Sequence, residues 1–182
     1  MKRPTDVLRD EHVLILRALD LLEAAGARLE RRQGPDESWW QRLIAWLRGF
    51  ADRNHHAKEE GVLFPALERA GVPGGEGGPI GVMLEEHGQG RALVAALASP
   101  DAAIRAASAR AYADLLRAHI DKENGVLFPL ADGLLDEDAH RAMAREFDAA
   151  ADALGADPLP ARAERILDEL AASLGDVAAP AR

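Results

Sequence analysis

The sequence predicts an all-α fold: an antiparallel, up-down four-helix bundle made from two duplicated helical hairpins, with one or two C-terminal helices packed outside it. Three observations lead there. Nearly half of the 182 residues are apolar, with alanine and leucine abundant and aromatic residues few, a composition that favours helix. Apolar residues recur at three- and four-residue spacing between breaks rich in glycine and proline. The stretch from His55 to Pro65 returns from His119 to Pro129 with eight of eleven positions identical, as expected when one structural unit is duplicated.

In chain order, Thr5 suits the N-cap of a first helix whose inner stripe is Leu8, His12, Ile15, Leu19 and Leu22. Arg32-Gln33-Gly34-Pro35 ends it, and Asp36 or Ser38 can cap the second helix. The second helix faces inward with Leu43 or Ile44, Leu47, Ala51, His55, Glu59 and Val62, and outward with Arg42, Asp52, Arg53 and Glu60. Pro65 and Pro129 each follow a glycine four residues back, Gly61 and Gly125, where the proline ring crowds a carbonyl. The expectation is a kink or bulge just past Glu59 and Glu123, not a helix stop.

The loop from Gly71 to Pro79 separates two halves. A third helix carries Ile80, Met83, His87, Val94 and Leu97. Ser99-Pro100-Asp101 reads as N-cap, first position and acidic first turn of a fourth helix with the stripe Ile104, Ser108, Tyr112, Leu115, His119, Glu123 and Val126. Amphipathic helices follow at about 136–154 and 160–174. The expected domains are a bundle over 1–135, a helical extension over 136–174 and a frayed, disordered tail over 175–182.

Composition removes several classes of function. Twenty-two basic residues against 31 acidic ones give a net charge of −9, which disfavours a nucleic-acid or anionic-membrane partner. With no cysteine, disulfides, thiolate-ligated zinc, iron–sulfur clusters and a cysteine nucleophile are excluded. No apolar signal core or long apolar run is present, so the default expectation is a soluble cytoplasmic protein.

The repeat extends to Asp10-Glu11-His12 and Glu85-Glu86-His87. Each half is therefore a helix with one inward His, then a helix with an inward His and Glu four residues apart, about 5–6 Å at Cβ. Four imidazoles and two carboxylates result: His12, His55, Glu59, His87, His119 and Glu123. A lone His on an apolar stripe is more often a hydrogen-bonded core residue. Four of them with two paired carboxylates in a duplicated frame reverse that judgement, because buried imidazoles and carboxylates at one level require compensation for lost hydration. A nitrogen and oxygen donor set suits iron or manganese, with zinc or copper as alternatives. Six donors suit two ions, two His on each, with both Glu bridging and an open position on each ion.

These motifs, over about residues 5–135, resemble the hemerythrin-like HHE cation-binding family. The resemblance implies an antiparallel four-helix bundle around two non-haem iron ions joined by an oxo or hydroxo bridge. His12, His55, His87 and His119 would be terminal ligands, and Glu59 and Glu123 bridges. Oxygen-carrying hemerythrins use five histidines, with a His-x-x-x-His pair on the third helix and an Asp five residues after the last His. Here Arg91 follows His87 by four, and Glu123 follows His119 by four. The ligand set is more similar to bacterial hemerythrin-like and iron-centre repair proteins, which are linked to nitric oxide, peroxide and oxidative stress. The repair proteins often carry a cysteine-containing N-terminal segment that this chain lacks. The implied function is binding of oxygen, nitric oxide or peroxide for sensing, storage or stress response. The alternatives are a redox enzyme consuming peroxide or nitric oxide with an external electron donor, and iron storage, donation or centre repair.

Other residues read more blandly. His56 offers a rival pair, His56-x-x-x-Glu60, but lies about 100° from His55 on a charged face and reads as a residue behind the ligands or on the surface. Glu11 and Glu86 read as solvated acids, with orientation of imidazoles across the bundle as the sharper idea. Tyr112 lies seven residues before His119, about 10 Å along the axis, as a core aromatic or a hydrogen-bond donor near the centre. Arg91 is expected to meet an acid at the bundle rim, Gly88 and Gly90 to permit close helix approach or ligand entry, and His140 to be exposed.

Overall fold

A computed structural model describes residues 2–154 and 160–176. Six helices account for nearly all of the described residues, with no strand among them. They are α1 (Pro4–Glu30), α2 (37–69), α3 (Pro79–Ala96), α4 (102–134), α5 (Glu137–Leu154) and α6 (Pro160–Asp176). The first four form the bundle, with α1 against α2 and α4, and α3 against α2 and α4. Short connections make sequential neighbours antiparallel. α5 and α6 pack outside, mainly on α1 and α2. No helix among the described residues is long and apolar enough to cross a membrane.

The helix ends follow backbone chemistry, with two departures from expectation. Pro4 opens α1 and Arg3 is its N-cap, because proline's missing N–H costs nothing in the first turn. Thr5 instead lies inside, its hydroxyl donating to Asp132 Oδ1 at 2.6 Å. Asp36 caps α2, accepting from the Trp39 N–H at 2.9 Å. Asp101, not Ser99, caps α4, accepting from the N–H groups of Ala103 and Ile104. The sixth helix takes in Gly175 and Asp176; the rest of the expected tail, 177–182, lies outside the described residues.

Both prolines of the repeat sit inside continuous helices. The winding opens to π-helix over Glu59–Leu63 and Glu123–Leu127, where the N–H of Phe64 reaches back to the Glu59 carbonyl and that of Phe128 to the Glu123 carbonyl. An i→i+5 turn holds one extra residue, so the helix passes the proline without a break. Val126, expected inside, is 63% exposed while Leu127 is buried; Val62, in the matching turn of α2, is 8% exposed in the cluster that holds Met143 and Phe147. At the other end of α4, Ile104 is exposed while the Arg105 guanidinium lies over Trp40 and pairs with Glu37. A longer π-helical stretch, Leu47–His56, lies in α2 and has no counterpart in α4.

The core is two apolar clusters. One, around Leu19, Trp40, Leu47 and Tyr112, is covered by Leu167 and Leu170 of α6. The other, around Leu8, Leu63, Phe64 and Phe128, is covered by Met143 and Phe147 of α5. Between them runs a slab of buried polar side chains: Glu11 and His12, Asn54 to His56, Lys58 and Glu59, His87, and His119 and Glu123. His140, expected on the surface, is 3% exposed. It shares a helical face with Met143 and Phe147, the face by which α5 docks.

Candidate metal centre

Each helix of the bundle delivers a histidine to the polar slab: His12 from α1, His87 from α3 and His119 from α4 out of regular α-helix, and His55 from the π-helical stretch of α2. All four are about 1% exposed. In each ring Nδ1 is committed outward. His12 Nδ1–H donates to Asn124 Oδ1 at 3.0 Å and His55 Nδ1–H to Glu11 Oε2 at 3.0 Å. His87 Nδ1–H donates to Glu60 Oε1 at 2.7 Å and His119 Nδ1–H to Glu86 Oε2 at 2.8 Å. A donating Nδ1 leaves Nε2 of the neutral ring as a bare lone pair. All four lone pairs therefore turn inward.

They converge on two carboxylates. Glu59 Oε1 is 3.4 Å from His55 Nε2, and its Oε2 is 3.5 Å from His87 Nε2. Glu123 Oε2 is 3.2 Å from His12 Nε2, and its Oε1 is 3.3 Å from His119 Nε2. Each carboxylate thus spans two poles, one at His12 and His55, the other at His87 and His119. The latter two Nε2 atoms are only 3.0 Å apart.

The electrostatics of these groups are strained without a cation. Burial, followed by the charge of Glu123, pushes the Glu59 carboxyl well above its ordinary range. Burial also opposes ionisation of Glu123, but His119 and His12 outweigh it and hold that carboxyl low. Burial lowers His55 to about 4 and, with the neighbouring rings, lowers His87 further. His119 is raised despite its burial because Glu123 and Glu86 favour its charged form. His12 Nε2 and all four oxygens of Glu59 and Glu123 lack a hydrogen bond. An unsatisfied buried polar atom costs about 1–3 kcal/mol, a heavy load on a marginally stable domain. The donors fit a pair of cations, which would satisfy the inward lone pairs and both carboxylates together. The side chains that could hold a metal fall into two groups, His12 with His55, Glu59 and Glu123, and His56 with Glu59, His87 and His119.

Residues 3–131 match the family model of the hemerythrin HHE cation binding domain. The chain belongs to that family. Neither the curated proteins nor the solved structures gave a match. The HHE domain spans all of α1, α2 and α3 and most of α4, so the family assignment covers every residue of the slab on those helices.

His56 joins the six expected side chains in the slab. Sequence spacing put it on a charged outer face. In the structure it is 3% exposed and stacks on the His87 ring at 3.9 Å, and neither of its ring nitrogens has a hydrogen bond. The π-helical winding that ends at His56 explains this, because wider turns bring two consecutive residues onto the inner side. The slab therefore has two imidazoles at one pole and three at the other. The sequence signal was the second member of the His55-His56 pair together with His56-x-x-x-Glu60.

The outer layer is also more ordered than the bland reading. Glu11 is 3% exposed and accepts from His55, from Asn54 at 2.9 Å and from Lys58. Burial opposes its ionisation, but His55 and Lys58 hold it down at about 2. Glu86 repeats the arrangement with His119 and Lys122. Arg91 does meet acids, with Nε 2.8 Å from Asp52 and Nη2 2.6 Å from Glu60. Tyr112 is buried against Gly90, where a Cβ would come 3.4 Å from its ring. No hydrogen bond joins Tyr112 to an imidazole among the described residues.

Proposed function

We propose that this chain is a non-haem di-iron protein that binds a small ligand (oxygen, nitric oxide or peroxide) for sensing, storage or stress response. The observation that carries the reading is the inward convergence of the Nε2 lone pairs on two carboxylates, each of which faces both poles. His12 and His55 would hold one iron, and His87, His119 and His56 the other, with Glu59 and Glu123 shared. Bound there, paired iron supplies one-electron redox chemistry and an open site for a small ligand.

The protein's own groups set the terms of that chemistry. Glu11, Glu60, Glu86 and Asn124 hold four rings in the tautomer that presents Nε2. Phe128 stacks on His12 at 5.4 Å and Phe64 on His87 at 5.8 Å, which keeps water from that side of each pole. The first pole has four protein donors against five at the second, leaving it further from an octahedral set, so the small ligand is assigned there.

Anaerobic loading with ferrous iron should give two irons per chain by elemental analysis. Addition of oxygen, nitric oxide or peroxide should then give a reversible change in the visible spectrum. A chain that retains one ion at most, or a spectrum that none of the three ligands changes, would overturn the proposal. Sustained consumption of peroxide or nitric oxide would instead make it a redox enzyme, and transfer of iron to an acceptor a storage or repair protein.

A further inference from the structure

A cavity of about 450 Å³ opens between α2, α3 and α4, and His56 forms part of its wall. We propose that it binds a small organic carboxylate, a molecule with an apolar body and one anionic end, seated beside the second pole and not on its metal.

Charge is the first argument. Arg48, Arg53 and Arg91 line the cavity against a single acid, Asp52. Arg91 is already spent on Asp52 and Glu60. Arg48 and Arg53 make no ion pair among the described residues, and the Arg53 Nε–H donates only to the Arg48 carbonyl, at 3.3 Å. Two uncompensated guanidinium groups at one mouth suit a carboxylate, whose oxygens match their planar fork.

Shape and polarity supply the rest. Leu47, Val94 and Tyr112 line the same space and are buried, so most of its buried wall is apolar, with His56 the one buried imidazole in it. The volume falls within the roughly 300–1,000 Å³ of small-molecule sites and is far more than a diatomic needs. The π-helical stretch Leu47–His56 contributes five of the lining residues. It is also the stretch that the duplicated frame does not explain, and such winding concentrates at functional sites. The proposal uses protein groups alone and does not depend on which metal the slab holds.

Benzoate is the probe, titrated calorimetrically into the full-length chain both as purified and after chelation. Benzyl alcohol tests the need for charge and acetate the need for an apolar body. One benzoate per chain is expected, at least about tenfold tighter than either comparator. The double variant Arg48→Gln/Arg53→Gln, both positions exposed, should weaken it by about tenfold, the loss expected for one charge-assisted hydrogen bond. Circular dichroism confirms that the variant is folded. The proposal is overturned by absence of saturable binding, by acetate binding as tightly as benzoate, or by a folded double variant that binds normally. Binding that vanishes on chelation while helicity persists would place the ligand on the metal and would also overturn it. Metal content, measured on the same samples, reports separately on the di-iron reading.

Discussion

The hairpin α1–α2 and the hairpin α3–α4 place equivalent side chains in equivalent relations. Glu11 of α1 orients His55, and Glu86 of α3 orients His119. Lys58 and Lys122 neutralise those two acids. Across the hairpins, Phe64 stacks on His87 and Phe128 on His12. Three differences break the pseudo-symmetry. Glu60 backs His87 where Asn124 backs His12. His56 stands where the second copy has Ile120. The first hairpin lies under α5 and α6, so Lys58 is 5% exposed while the Lys122 side chain is 41% exposed. Duplication therefore accounts for the two central carboxylates and four rings, while His56, the π-helical wall of the cavity and a buried lysine–glutamate pair are contributed by the first hairpin alone.

The largest expected effect erases both poles. If two ions bind as proposed, Glu59→Gln should lose both, because each oxygen of Glu59 faces a different pole. One ion retained at full occupancy would show that Glu59 serves a single pole. Next, the buried and exposed lysines should separate. Lys58→Ala strands part of a buried charge network and should cost about 3 kcal/mol, whereas Lys122→Ala, on a solvated pair, should cost about 1 kcal/mol or less. Equal shifts in chemical denaturation would mean that covering by α5 has no energetic consequence.

Acid should probe the first hairpin in the metal-free protein. Glu11 is held at about 2 against an ordinary 4.5, so its contribution is complete above pH 4.5 and is lost as pH falls towards 2. His55 is held at about 4 against 6.5. Below pH 6.5 the unfolded chain takes a proton that the folded ring refuses, so stability falls there too. Each shift corresponds to something on the order of 3 kcal/mol. Unfolding free energy that stayed flat from pH 6.5 to 4 would contradict that burial. The smallest effect concerns His56. His56→Ile copies the second repeat and should weaken one of the two proposed metal ions about tenfold while leaving the other; equal weakening of both, by metal titration, would deny the three-imidazole pole.

How much of this was legible depends on local winding. His12, His87 and His119 lie in regular α-helix, and a period of 3.6 put each on the inner face correctly. The kinks at Pro65 and Pro129 were legible because a missing N–H and a crowded carbonyl leave few alternatives. His56 was misplaced because π-winding adds a residue, which no α-periodic count can register; Val126 was misplaced because its turn lacks the cover of Met143 and Phe147 that buries Val62 in the matching turn. Glu11 and Glu86 were visible as neighbours of ligands. Their hydrogen bonds cross between helices, however, and depend on packing that spacing along one helix does not contain. His140 failed similarly, since nothing in its own segment said which side of α5 would dock.

The polar slab has a mechanical consequence. It lies crosswise between two oily lobes, linked to them by helix backbone, by ring stacking on Phe64 and Phe128 and by its own hydrogen bonds. Take the cations away and the molecule has a fault plane at its waist, held open by facing lone pairs and a reluctant acid. Amide hydrogen exchange on chelated protein should then quicken first near residues 54–60 and 119–124, with the tryptophan-rich lobe under α6 exchanging last. The metal pair would act as the rivet that lets two small cores unfold as one.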